Sequence, residues 1–180
     1  MTRGELEHAI RAACDVAGED AVIVFGSQAI VGQYPDAPAS LRQSMEADIA
    51  PRSGDPAAAD RIDGSLGEDS LFHRAHGFYV HGLTIDAATL PAGWERRTVA
   101  VRNERTSGRT GHCIEAHDLA ASKLAAFRDK DREFVRTLLA EKLVAANKLR
   151  LRVQQLEGPG VNRDRLVRWI ELTCAELASR

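Results

Sequence analysis

The chain opens with a helical rhythm. Leu6, Ile10, Ala13 and Val16-Ala17 recur at helical spacing, and Gly18 follows as a natural stop, which predicts a helix over residues 4–17. The rhythm then changes. Residues 21–25, Ala-Val-Ile-Val-Phe, form a short continuous apolar run of the kind that makes a buried strand, and it ends at Gly26-Ser27. A second apolar patch, Gln28 to Val31, predicts a short helix over 28–33. The Pro-containing stretch from Tyr34 to Ser40 reads as a loop. Glu46-Ala47-Asp48-Ile49 alternates acid and apolar residues, which predicts a half-buried strand over 46–50 ended by Pro51.

Residues 52–62 read as a loop leading into a short helix. Residues 63–76, rich in Gly, Ser and acids without a clear period, read as a loop with at most one helical turn. Phe78 to Ile85 predicts a third strand with Asp86 at its end, and Leu90 to Trp94 a turn with a packing Trp. Two short strands at 98–101 and 111–114 flank the turn Glu104 to Gly111, as in a hairpin at the end of a sheet. From Ala116 the period becomes 3.6. Helices are expected at 119–128, 131–141, 146–156 and 162–178, with Asp118 and Asn162 at N-termini and Gly158-Pro159-Gly160 between the last two. The expected architecture is α/β (α+β), a small mixed sheet flanked by helices. Residues 1–115 would form the core and 116–180 a helical part completing one compact domain.

Composition adds little until charge is divided along the chain. The net charge of −2 is unlike that of a histone-like nucleic-acid binder. Through Pro91 there are 6 basic and 14 acidic residues, whereas the remainder carries an excess of six positive charges. An acidic half with paired carboxylates beside a basic half suits a phosphate-handling protein, and it equally suits a solvated Lys/Arg-rich helical half. Cys14, Cys113 and Cys174 are odd in number and form no CxxC pair, which points to a reducing compartment. The N-terminus lacks the apolar core of a signal peptide, and no apolar run approaches the ~20 residues that span a bilayer. A soluble, cytoplasmic protein with no membrane partner is expected.

The candidate chemistry begins at Glu46 and Asp48. On a strand they project to one face, and two like charges side by side are costly unless a cation or proton neutralises them. Mg²⁺, held by carboxylates and substrate phosphates, is the usual solution, and a solvated edge strand is the plain alternative. Gly26-Ser27, between a strand and a helix, is where backbone N–H groups and a small hydroxyl approach a phosphate closely. The Ser is not a hydrolase nucleophile elbow, because no Gly follows two residues on.

The stretch 118–139 holds a second set. At ~100° per residue, Asp131 falls inside the apolar arc of Phe127, Phe134, Leu138 and Leu124, with Lys123 at its edge. A carboxylate there requires a partner. On a straight helix Lys123 would lie ~12 Å away along the axis, so either the two converge on a third group or the helix breaks. A bond from Asp131 to a nearby Arg is the structural alternative. His73, His76, His81, His112, Cys113 and His117 form no closed zinc set, since the spacings H-x2-H and C-x3-H do not complete one. His73, in the Gly- and acid-rich loop, is either a pocket residue or an ordinary surface one.

A Gly-Ser turn, an acid-x-acid strand and a Lys-x4-Arg-x-Lys-Asp helix together resemble the nucleotidyltransferase superfamily of the DNA polymerase β type, over residues 22–135. Within it, the chain is similar to the minimal bacterial nucleotidyltransferases of the abortive-infection and MenT-like toxin class. The stretches SQAIVGQYPDAP, LRQSMEADI, IDGSLGEDSLFH, TLPAGWERR and EAHDLAASKLAAFRDKDREF resemble an uncharacterised bacterial nucleotidyltransferase-like family. The resemblance implies transfer of a nucleoside monophosphate from an NTP to a hydroxyl of RNA (a tRNA end included), protein or a small molecule, with two Mg²⁺ (or Mn²⁺) ions. It implies that Gly26 and Ser27 hold phosphates, that Glu46 and Asp48 bind metal, and that Lys123 and Asp131 hold the nucleotide or activate the acceptor. Arg128 and His73 would join the nucleotide site. Asp86 is the expected third carboxylate, with Asp63 or Glu68 as substitutes. The gap from Ser27 to Glu46 is longer than the family's usual spacing, and Glu46 stands where Asp is commoner. A non-catalytic nucleotide- or partner-binding module, such as half of a toxin–antitoxin pair with a cognate antitoxin, is the competing expectation, and a phosphohydrolase using the same acids is a further one.

Overall fold

The computed structural model describes residues 1–179; Arg180, the last residue of the expected helical part, lies outside the described residues. The chain divides into two compact units, Met1–Ala88 with Arg97–Glu115, and Thr89–Arg96 with Ala116–Arg180. The segment 89–96 thus belongs with the C-terminal helices.

The first unit is built on a five-stranded mixed sheet. Its strands are β1 (Ala21–Phe25), β2 (Glu46–Pro51), β3 (Tyr79–Gly82), β4 (Val99–Val101) and β5 (Thr110–Cys113), in the order β3-β2-β1-β5-β4. β1 pairs antiparallel with β2 and parallel with β5, β2 pairs parallel with β3, and β4 closes the far edge antiparallel to β5. The central position of β1 explains its unbroken apolar sequence: Val22 to Phe25 are all buried.

Helix α1 (Arg3–Ala17) starts at a capping box between Thr2 and Glu5 and ends at Gly18 in the left-handed conformation (φ 74°). Its apolar face, Leu6, Ala9, Ile10 and Ala13, is fully buried. Glu7 is buried on the same helix and bonded to Arg3 and Asn103, at 2.9 and 2.8 Å. After β1 the chain makes a 3-10 turn (Ser27–Ala29), then the short helices α2 (Ile30–Gln33) and α3 (Ala39–Arg42).

Residues 63–76, expected as a loop, are mostly helical. Helix α4 (Pro56–Leu66) is capped by Asp55 and buries Ala58, Ala59, Ile62 and Leu66, one stripe at helical spacing that runs past Gly64 and Ser65. Helix α5 (Leu71–His76) is capped by Ser70 and stopped by Gly77 at φ 74°. β3 is shorter than expected. It ends at Gly82, where a Cβ would lie 2.3 Å from the Ala59 carbonyl oxygen of α4, so β3 and α4 are in backbone contact.

The second unit consists of α6 (Ala116–Ala126), α7 (Asp129–Ala140), α8 (Ala146–Gln154) and α9 (Arg163–Ala178). Residues 89–96 attach through an antiparallel bridge from Pro91 to Leu156 and a bond from the Ala92 N–H to the Gln155 carbonyl, 2.9 Å. Leu124, Val135, Leu138, Leu149, Val153 and Ile170 are buried here. Among them, Asp118, fully buried on α6, pairs with Arg152 of α8 at 2.9 Å, so this acid ties two helices together beyond its place in a first helical turn. No described helix is long and apolar enough to cross a membrane.

Candidate metal centre

β2 carries its side chains as strict alternation requires. Ala47 and Ile49 are fully buried, while Glu46 and Asp48 face the other way and are partly open. The neighbouring strands decide what meets them. In the parallel register with β3, Glu46 lies opposite Tyr79 and Asp48 opposite His81. The His81 Nδ1 stands 2.9 Å from Glu46 Oε1 and 3.5 Å from Asp48 Oδ1. Glu46, Asp48 and His81 are the one set of three His, Cys, Asp or Glu side chains among the described residues whose ligand atoms all lie within 4.8 Å of one another. Their side chains are 37, 24 and 42% exposed, so the group opens to solvent.

On the other side of β2, Phe25 pairs with Asp48, and the next residue is Gly26. Gly26 has φ 64°, and a Cβ added there would sit 1.8 Å from Asp48 Oδ2. Both facts demand glycine: any side chain would be strained and would displace the carboxylate. The Gly-Ser turn and the acid-x-acid strand therefore meet at one point, with half-buried Ser27 starting the 3-10 turn. Gln28, next in the chain, is 1% exposed and neither its amide oxygen nor its nitrogen has a hydrogen-bond partner.

Tyr79 adds a further contact. Burial raises its phenol pKa, and the negative charge of Glu46, with smaller effects from Glu68 and Asp48 and a hydrogen bond to Glu46, raises it further. His73 lies beside Tyr79, ring centroids 4.9 Å apart, and its Nδ1 accepts from the Asp69 N–H at 3.1 Å.

The donor set fits a divalent cation. Bonds of ~2.1 Å place neighbouring ligand atoms ~3.0 Å apart around an octahedral ion and ~3.4 Å apart around a tetrahedral one. The separations from His81 to the two carboxylates, 2.9 and 3.5 Å, are of that size. The expected third carboxylates lie elsewhere. Asp86 is exposed in a 3-10 turn (Ile85–Ala87) beyond the end of β3 and is not a member of the group. Asp63, on α4, accepts from the Gly82 N–H at 3.3 Å, and Glu68 is exposed after α4.

Lys123, Arg128 and Asp131 belong to the second unit. Of the two alternatives for Lys123 and Asp131, the structure has the helix break: it falls at Phe127, whose φ of 53° separates α6 from α7. The break brings Lys123 Nζ to 3.4 Å from Asp131 Oδ1, while Arg128 donates to both carboxylate oxygens at 2.6 and 3.3 Å. Asp131 is 1% exposed. Burial pushes its carboxyl pKa up, but the Arg128 and Lys123 contacts outweigh that and hold it below the ordinary value. The guanidinium groups of Arg165 and Arg132 lie over the Phe127 ring, 4.1 and 4.9 Å from its centroid, with Trp169 edge-on at 6.3 Å.

The other histidines are dispersed. His76 packs against His8, His112 lies 3.4 Å from the Thr98 hydroxyl, and the His117 Nε2 accepts from the Ala145 N–H at 2.9 Å. Tyr79 and His81 were visible in the sequence as alternate positions of one strand, but only the register of β3 on β2 places them on the acids. Compared with known proteins, the chain matches no family model, no curated protein and no solved structure.

Proposed function

We propose that this chain is a metal-dependent nucleotidyltransferase of the DNA polymerase β type, moving a nucleoside monophosphate from an NTP to an acceptor hydroxyl. One observation carries the reading. The Gly26-Ser27 turn and the Glu46-x-Asp48 strand, which lie about twenty residues apart in the chain, are pressed together by the antiparallel β1–β2 pair until only glycine fits against Asp48. A loop that admits phosphate then lies directly beside the carboxylates that would hold its counter-ion.

In this reading Glu46 and Asp48, with His81 beside them, hold the divalent cation. Bound there, Mg²⁺ or Mn²⁺ would neutralise phosphate charge and lower the pKa of the attacking hydroxyl. The absent side chain at Gly26 lets Asp48 close on the turn, and the Ser27 hydroxyl would offer the triphosphate a hydrogen bond. A bond forms from the acceptor oxygen to the α-phosphorus, the α–β bridging P–O bond breaks, and pyrophosphate leaves. The hydroxyl proton passes to the water to which the group is open. Lys123 and Arg128 belong to the second unit, where both pair with Asp131.

A second reading, a nucleotide- or antitoxin-binding module without transfer, is favoured by one feature: the third position beside the acids holds an imidazole in place of a carboxylate. Label transfer separates the two. The protein is incubated with each α-labelled NTP, Mg²⁺ or Mn²⁺, and bacterial RNA or lysate, beside the Glu46→Ala/Asp48→Ala double variant. Label on RNA or protein that is absent with the variant supports the transferase. Metal-dependent NTP binding without transfer supports the module.

A further inference from the structure

We propose that His81 completes a three-ligand site with Glu46 and Asp48, and that this mixed nitrogen–oxygen set takes a borderline first-row cation (Mn²⁺, Co²⁺ or Zn²⁺) ahead of Mg²⁺. The inference rests on the cation-binding part of the proposed function and narrows it.

The donor atoms come from two adjacent strands locked in register. Asp48 and His81 are Cα partners in the β2–β3 ladder, so the imidazole is held beside the carboxylates by backbone pairing. β3 is itself fixed from behind. The Gly82 N–H donates to Asp63 Oδ1 at 3.3 Å, and the same residue touches the backbone of α4 closely enough to exclude a Cβ. Glu46 is oriented by a hydrogen bond with Tyr79, and Asp48 is confined by Gly26. Such support around the ligands is what a metal site requires to hold its geometry.

The chemistry of the third donor sets the preference. Mg²⁺ favours oxygen ligands in near-octahedral geometry and gives up water reluctantly. Imidazole suits the later first-row ions, whose affinities for nitrogen donors climb from Mn²⁺ to a maximum at Cu²⁺, with Zn²⁺ below that maximum but above Mn²⁺. A carboxylate at this position would leave an all-oxygen set suited to Mg²⁺, and His81 shifts the site away from it. The competing role for His81 is that of a counter-ion, an imidazolium neutralising two acids. A lysine there would preserve that role and abolish the ligand.

The test is cation binding on the full chain, without substrate. Mn²⁺ binding is followed by loss of the free-ion electron paramagnetic resonance signal, with Mg²⁺ and Zn²⁺ as competitors. One Mn²⁺ per chain is expected, displaced by Zn²⁺ at concentrations at least about a hundredfold below those of Mg²⁺. His81→Ala and His81→Lys should each weaken Mn²⁺ by about 10–100-fold with little change for Mg²⁺, and His81→Asp should narrow the preference by at least about tenfold. Electron spin echo envelope modulation of Mn²⁺ on the unmodified protein should show one coordinated imidazole nitrogen, a readout that needs no variant to fold. Binding of Mn²⁺ without nitrogen coordination, or with unchanged selectivity in folded His81→Ala, would overturn the inference and leave the cation on Glu46 and Asp48 standing. No cation binding at all would overturn both this inference and the metal-dependent reading beneath it.

Discussion

Lys123 and Asp131 are eight residues apart in the chain, and their charged groups are 3.4 Å apart in space. On a continuous helix the same residues would lie more than two turns apart. The left-handed conformation of Phe127 ends α6, and α7 restarts at Asp129, so the chain folds back far enough for the ammonium to reach the carboxylate. A non-glycine residue at positive φ is costly. Phe127 is held there by its own contacts with Arg165, Arg132 and Trp169, and the Asp131 ion pairs reinforce the turn.

Removing Asp131 should therefore destabilise the protein strongly. The carboxylate is buried and Lys123 is only 13% exposed, so Asp131→Ala leaves a largely desolvated ammonium without its anion. Loss of one member of a buried pair costs about 3–5 kcal/mol, and the solvent-exposed Arg128 places this case near the low end. Urea denaturation of wild type and Asp131→Ala is expected to differ by about 3 kcal/mol. A difference below about 1 kcal/mol, as for an exposed pair, would show that the cluster does not hold the turn.

The same carboxylate gives a pH dependence of known sign. Arg128 and Lys123 hold the Asp131 pKa below its ordinary value despite burial, so the folded protein binds this proton less readily than the unfolded chain. The resulting stability is fully present above the unfolded carboxyl pKa of about 3.9 and is lost as pH falls through the lower folded value. The stability gap between wild type and Asp131→Asn should be constant near neutrality and shrink below about pH 4. Denaturation midpoints measured across that range check it, and a gap that grew towards acid would refute the sign.

Gly26→Ala tests the junction of the two motifs. The substitution places a methyl group on Asp48 Oδ2 and demands a left-handed backbone of an alanine. Strain of about 1–3 kcal/mol is expected from the backbone alone, seen as a lower Tm. Mn²⁺ affinity should fall by at least about tenfold, because the displaced Asp48 no longer meets His81. Equal cation affinity in a folded Gly26→Ala protein would mean that the carboxylate position does not depend on the turn.

Much of this arrangement is legible in the residue pattern, and the remainder is missing for physical reasons. The α1, β1 and β2 elements follow local periodicity, and the faces of Glu46 and Asp48 follow from alternation alone. The length of α4 is hidden because Gly64 and Ser65 are poor helix formers, and the buried stripe of Ile62 and Leu66 against the rest of the first unit overrides them. The break at Phe127 carries no Gly or Pro, and its one mark in the sequence is Asp131 on the apolar arc, too far from Lys123 unless the helix breaks. His81 is the instructive omission. Its place beside the acids depends on a parallel pairing between strands about 30 residues apart, and parallel register leaves no local mark in either strand. Asp86 is the expected third carboxylate on a β3 that runs to residue 85, whereas the strand ends at Gly82 and residues 85–87 form a 3-10 turn.

The cysteines separate by environment. Cys14 and Cys113 are completely buried, and burial pushes both thiols up to about 12. Neither supplies thiolate near neutral pH, so neither should react with a thiol reagent while the protein is folded. Cys174, on α9, is only partly buried. Ellman titration at pH 8 should thus count one fast thiol in the native protein and three in denaturant. Because reaction at the other two requires opening of the first unit, their slow phase also reports its unfolding, and Gly26→Ala should accelerate it without changing the rate at Cys174. Three equally fast thiols in the native protein would show that α1 and β5 do not seal the core around Cys14 and Cys113.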